Sequence, residues 1–426
     1  MTPEQGLAHF AGLSPSNIKM GLERVRLALR KLRDPQERFP ALHVAGTNGK
    51  GSTCAIAASC LSTRYHTGLY TSPHLIRPNE RIQVDGVEID DATFGRRIAE
   101  VVAVLGEQHD LTYFEFGTVV AFWHFAQERV EIAVLETGLG GRLDATTACV
   151  PKVTCITPID FDHQEYLGHT ISAIAGEKAG IVKGGVPLIS SAQVPEAMAV
   201  LEKAAGDRLV IEGRDFGVTP DDGSLSFWFA LSPTLSPAGE RETLGGLQLS
   251  LKGPHQLQNL AVALACLHSL TDFPLSPKEL RAGVKGARWP GRLEEFEGEP
   301  PVLLDGAHNP SGVQALLRAL KAEYPGRRVH LVFGVFADKD SEPMMRALFP
   351  VVEALYLAPV GNPRSKDPRS YEALARELNP QVSVHPDAEA ALAAARGAAP
   401  QDGLVVVAGS LFLVGQLRRV LLGLPR

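Results

Sequence analysis

Short apolar runs alternate with stretches of helical period along most of this chain. Phe39-Pro40-Ala41-Leu42-His43-Val44 reads as a buried strand, and a glycine-rich turn separates it from a helix of small residues over about Lys50 to Leu61. Ile132 to Leu135 and Val153 to Ile156 read as further buried strands, with Thr118 to Ala126 as a buried helix. Strands that are apolar throughout and interleaved with helices predict βαβ units and a parallel sheet. From about Leu209 to Leu251 the pattern turns to shorter alternating segments, Leu225-Ser226-Phe227-Trp228-Phe229 and Leu247-Gln248-Leu249-Ser250-Leu251, broken by Pro and Gly. Such alternation predicts an antiparallel excursion within or beside the first domain. Ala287-Arg288-Trp289-Pro290-Gly291-Arg292, followed by the acidic, Pro-rich Glu294 to Pro301, is the best boundary. A second αβ series starts beyond it, with strands at Val302–Leu304, Val329–Phe333, Leu355–Ala358 and Leu404–Ala408. The Ala-rich run Ala388 to Ala399 is expected as a helix.

Composition narrows the class of function. At 426 residues the chain exceeds one ordinary core, so two or three units are expected. Cys54, Cys60, Cys149, Cys155 and Cys266 show no CxxC pairing, which argues against zinc and disulfide frameworks. No run approaches the ~20 uncharged apolar residues of a membrane helix. The start MTPEQGLAHF lacks the basic head and apolar core of a signal sequence. A cytoplasmic protein with reduced thiols and no membrane partner is expected. A net charge of -6 argues against a general nucleic-acid surface while leaving room for a local phosphate site.

The segment Gly46-Thr47-Asn48-Gly49-Lys50-Gly51-Ser52-Thr53 is where that site is expected. Glycines let the backbone curl so that N–H groups face a phosphate, the following helix adds its positive end, and Lys50 offers a mobile cation. The strict pattern G-x-x-x-x-G-K-[ST] is not met, because Val44 stands where the first Gly belongs and Gly51 follows the lysine.

Further motifs follow in order. They are Thr71-Ser72-Pro73-His74-Leu75, Tyr113-Phe114-Glu115, the run from Glu136 to Thr146 (ETGLGGRLDAT) and Asp162-His163. Later come His255-Gln256 with Asn259, Pro290-Gly291-Arg292, Asp305 to Pro310 (DGAHNP) and Gly409 to Gly415 (GSLFLVG). Together with the G-T-N-G-K-G-S loop they resemble, over nearly the whole chain, the folylpolyglutamate synthase/dihydrofolate synthase branch of the Mur ligase superfamily. Thr147 stands where that family usually has Asn, and Pro78 interrupts its usual Arg-Tyr-Asn-Glu-Arg run.

The resemblance implies an α/β protein: an N-terminal P-loop ATPase domain of Mur ligase type over residues 1–293 and a smaller doubly wound domain over 299–426, with the active site between them. It implies ligation of L-glutamate to dihydropteroate or a reduced folate, with ATP and Mg²⁺ as cofactors and the chain acting as a monomer. Gly46 to Thr53, Asn259, Arg292 and Asp305 would hold the nucleotide, Arg292 by its planar fork. Glu136, at the end of an apolar strand, and Ser72 would hold one Mg²⁺, and His163 a second. His74, Arg77, Phe114, Asp144 and His308 would contact substrate, Phe114 by stacking on the pterin. Lys178, in Gly176-Glu-Lys-Ala-Gly-Ile-Val-Lys183, matches the segment that supplies a carbamylated lysine in the superfamily, which makes Lys50, His163 and Lys178 the catalytic set. A bare reading leaves Lys178 as a solvated lysine on a short amphipathic helix. Two rival functions stand beside the ligase. A Mur enzyme acting on a nucleotide-linked muramyl substrate carries a separate N-terminal domain, for which a loop starting at residue 46 leaves no room. A P-loop ATPase switch would hydrolyse ATP without either ligase substrate.

Overall fold

The computed structural model describes residues 1–14, 19–230 and 241–425. They form two compact units, one of Met1–His74, Pro78–Ser250 and Leu257–Arg288, the other of Leu75–Arg77, Leu251–Gln256 and Trp289–Arg426.

The first unit is built on an eight-stranded sheet. Its order is Val87–Glu88, Ile82–Val84, Thr67–Tyr70, Ile132–Glu136, Ala41–Ala45, Pro151–Ile156, Leu188–Ser190, Leu209–Ile211. The last six run parallel, and the first two form an antiparallel edge hairpin. The central strand begins at Ala41, two residues later than the apolar run suggests, because Pro40 has no N–H to give the ladder. The helix Tyr113–Glu128 begins five residues before Thr118. Thr112 and Glu115 close a reciprocal capping box there, and Phe116, Phe122 and Phe125 are buried against the sheet. The antiparallel excursion is a separate three-stranded sheet of Phe216–Asp221, Ser224–Ala230 and Arg241–Leu247. The expected strand Leu247 to Leu251 is corrected, since only Leu247 of that segment is paired. Residues 231–240 of the excursion lie outside the described residues.

The second unit has a six-stranded sheet in the order Glu294–Phe296, Val302–Leu304, Leu404–Ala408, Val329–Phe333, Ala354–Leu357, Val382–Val384. Only the first strand is antiparallel to its neighbour. Successive residues feed opposite cores: Leu303, Leu331 and Val406 pack on one face, Val302, Val332 and Val405 on the other. The stretch from Glu294, read above as boundary, is thus an edge strand at its start. All five cysteines are free and buried. Among the described residues no helix is long and apolar enough to cross a membrane.

Candidate nucleotide and acceptor site

The phosphate loop leaves the central strand at its carboxyl end, where open α/β sheets bind ligands. Gly46 has φ +147° and Gly49 φ +85°, and Gly49 opens the helix Lys50–Leu61. Contacts as well as dihedrals demand glycine here. A Cβ on Gly46 would lie 1.9 Å from Thr157 Oγ1, and one on Gly49 2.3 Å from Asn259 Oδ1. Gly46→Ala is therefore expected to lower stability by about 1–3 kcal/mol, a shift of the urea midpoint that chemical denaturation would read. An unchanged midpoint would mean that the loop relaxes freely.

Two expected phosphate donors are otherwise engaged. The N–H groups of Thr47 and Asn48 donate to Pro158 O at 2.9 and 3.3 Å, and Thr47 Oγ1 donates to Asp160 O at 3.0 Å. The anion-facing end is thus the first turn of the helix, Lys50, Gly51 and Ser52, since the Thr53 N–H already donates to Gly49 O at 2.9 Å. Lys50 Nζ donates to Gly46 O at 3.2 Å and Thr47 O at 3.1 Å. Lys178 Nζ, from the helix Ile171–Ala179, donates to the same Gly46 O at 2.7 Å. Lys178 is 4% exposed, so the solvated-lysine alternative does not hold. Burial first, and the charge of Lys50 second, bring its pKa down to about 7, with Asp162 and Asp144 opposing the shift.

Strands Thr67–Tyr70 and Ile132–Glu136 are neighbours, which puts Ser72 beside Glu136: Ser72 N donates to Glu136 Oε2 at 3.1 Å. These are hard oxygen donors of the kind Mg²⁺ takes. No three His, Cys, Asp or Glu side chains converge on a metal position among the described residues. An ion here therefore suits a site completed by phosphate and water. His163 is 41% exposed and has φ +51° at the head of the short helix Gln164–Leu167.

On the acceptor side the ring of Phe114 lies against Gly138, where a Cβ would meet Phe114 Cζ at 2.5 Å. Asp144, expected at the acceptor, spends both oxygens inside the chain. Oδ2 accepts from Gly138 N and Leu139 N at 2.9 Å each, and Oδ1 from Thr146 N at 3.0 Å and Thr146 Oγ1 at 2.5 Å. Asp144 thus ties the Gly138–Leu139 turn to Thr146. Burial raises its pKa, while those hydrogen bonds, all to the ionised form, lower it. His74 Nδ1 is likewise engaged, accepting from Arg81 Nε at 2.9 Å, and burial lowers its pKa to about 3. Arg81 also lies over the Tyr113 ring at 5.4 Å. The sequence reading passed over Arg81 although it sits in the Arg-Pro-Asn-Glu-Arg run. Thr157 carried no local signal, since its contact with Gly46 spans distant sequence.

In the second unit Arg292, Asp305 and His308 gather at the carboxyl ends of strands. Asp305 accepts from Leu293 N at 3.1 Å and Ala307 N at 2.9 Å, and His308 Nδ1 donates to Gly306 O at 2.7 Å. Burial raises the Asp305 pKa against the opposing charge of Arg292. Asn309 caps the following helix Pro310–Glu323. Arg77 is exposed and belongs to this unit.

Residues 44–267 match the Mur ligase middle domain and residues 291–411 the Mur ligase, glutamate ligase domain. The chain is 36% identical to folylpolyglutamate synthase of Lacticaseibacillus casei, covering 94% of each chain. It is 34% identical to dihydrofolate synthase/folylpolyglutamate synthase of Bacillus subtilis, covering 94% of this chain and 95% of the relative. Among solved structures it is similar to E. coli FolC in complex with DHPP and ADP, with a TM-score of 0.88, 33% identity and coverage of 99% and 98% of the two chains.

Proposed function

The chain belongs to the folylpolyglutamate synthase/dihydrofolate synthase family of Mur ligases, and from that premise we propose that it joins L-glutamate to both dihydropteroate and reduced folates. It is an ATP-dependent ligase. The observation that carries the reading is the pair of lysine amino groups, of Lys50 and Lys178, converging on Gly46 O beside a helix N-terminus.

The acceptor carboxylate attacks the γ-phosphorus of ATP, ADP departs, and an acyl phosphate results. The glutamate amine then attacks the acyl carbon, and the tetrahedral intermediate expels phosphate. The first turn of the helix at Lys50 receives the phosphates, and the Lys50 ammonium stabilises charge on the transferring group. Glu136 and Ser72 would hold one Mg²⁺, with His163 and a carbamylated Lys178 at a second, and the ions would neutralise phosphate charge. A Lys178 amine that sheds its proton near pH 7 is suited to CO₂: R–NH₂ adds to the carbon, a proton leaves, and the cation becomes an oxygen ligand. Phe114 offers a face to the pterin, and Arg81 and His74 form a paired polar wall near it. Arg292, Asn259 and Asp305 serve the nucleotide; His308, Arg77 and Asp144 complete the substrate contacts. We place the enzyme in the cytoplasm as a monomer, a location supported by five buried, free thiols.

Purified protein incubated with ATP, Mg²⁺, glutamate and each acceptor in turn should yield glutamylated product by mass spectrometry from both dihydropteroate and tetrahydrofolate. Product from one acceptor only would end the bifunctional reading and keep the ligase. ATP hydrolysis indifferent to acceptor and glutamate would favour the switch.

A further inference from the structure

His43 lies in the strand that delivers the phosphate loop and is fully buried, yet the reaction described above leaves it without a task. Its Nε2 is 2.8 Å from Thr146 Oγ1, which in turn is 2.5 Å from Asp144 Oδ1. Proton accounting fixes the direction of this chain. Thr146 has one hydroxyl proton. Asp144 already accepts from three backbone N–H groups, so it is ionised and the proton lies towards it. Thr146 Oγ1 must then accept from His43, which is neutral and carries its proton on Nε2, leaving Nδ1 buried as an unpartnered lone pair. Burial agrees, holding the His43 pKa at about 3.

The other end of the chain reaches the site. Asp144 Oδ2 holds Gly138 N and Leu139 N, two and three residues after Glu136, and Gly138 seats the Phe114 ring. We propose that His43 is a positioning residue: its Nε2–H orients Thr146 and Asp144, and through them sets the Glu136–Leu139 turn and the face that Phe114 presents to the acceptor. This rests on the ligase reading above.

The test exploits reach. Glutamine places an amide nitrogen near the position of imidazole Nε2, whereas asparagine places one near Nδ1. His43→Asn is expected to raise KM for the folate acceptor ~10-fold or more, with the dissociation constant of ADP within about twofold of the parent, as loss of a buried hydrogen bond of order 1.4 kcal/mol or more would do. His43→Gln should recover most of that loss at a similar thermal midpoint. If His43 variants fold poorly, Thr146→Val should reproduce the asparagine phenotype and Thr146→Ser the parent. Equal acceptor KM in the glutamine and asparagine variants, or a loss of ADP affinity in step with acceptor affinity, would overturn the proposal. An inactive parent enzyme would instead overturn the ligase reading.

Discussion

Lys50→Ala is expected to lower the ligation rate at saturating ATP by roughly 10²-fold or more, with the circular dichroism spectrum unchanged. The Lys50 ammonium is held by Gly46 O and Thr47 O at 3.2 and 3.1 Å, where the loop turns into the helix. Removing it costs no core packing, because the side chain lies at the loop rather than among the apolar residues of the helix. What goes is a cation aimed where charge accumulates during phosphoryl transfer. A hundredfold loss corresponds to about 2.7 kcal/mol of transition-state stabilisation. Near-normal turnover would remove the loop from the reaction. The substitution has a second arm: Lys50 is one cause of the low pKa of Lys178, so its loss should make Lys178 harder to deprotonate. Effects of the two lysines are therefore expected to be non-additive in the double variant.

Lys178→Ala is expected to lower turnover by a similar factor of roughly 10², and a small carboxylic acid in the buffer should restore part of it. With the pKa near 7, the amine is largely protonated at pH 6 and largely free at pH 8. Activation of the parent enzyme by CO₂ should then be strong at the higher pH and weak at the lower. The stability sign is separate. A pKa depressed from the ordinary 10.5 means that the unfolded chain binds the extra proton between about 7 and 10.5, so unmodified Lys178 penalises folding fully below 7, and the penalty fades as pH rises across that window. Turnover unaffected by the substitution, or indifferent to CO₂ at pH 8, would end the carbamate assignment.

Particular elements show what was legible in the sequence. Val302–Leu304, Val329–Phe333 and Leu404–Ala408 were read with the bounds they have, because interior strands buried on both faces must be almost wholly apolar; the one polar residue among them, His330, is hydrogen-bonded to Tyr356 Oη at 3.0 Å. Glu294–Phe296 and Val382–Val384 escaped notice. Each pairs on one side only, and an edge tolerates charge or brevity that hides a strand among loops. Arg241–Leu247 is mostly exposed, so its polar letters gave no alternation, while Leu247 to Leu251 alternated without pairing. In the site, glycine and lysine announced the phosphate loop through local chemistry. Motif order could place Asp144 near the acceptor but could not reveal how its oxygens are used. That depends on where a turn folds back upon Gly138 and Leu139, which composition does not encode. The burial of Lys178 was hidden for a related reason, since its helix carries Glu177 beside it and Lys183 just beyond.

The five thiols have a practical corollary for spectroscopy. All lie beneath the surface, and burial pushes Cys60 and Cys149 up to about 12, so thiolate is scarce at neutral pH. A maleimide dye directed to one cysteine engineered on the exterior of each unit would find little competition from the native five. Distance measurements by energy transfer can thus be made on the otherwise unaltered chain, without first building a cysteine-free background.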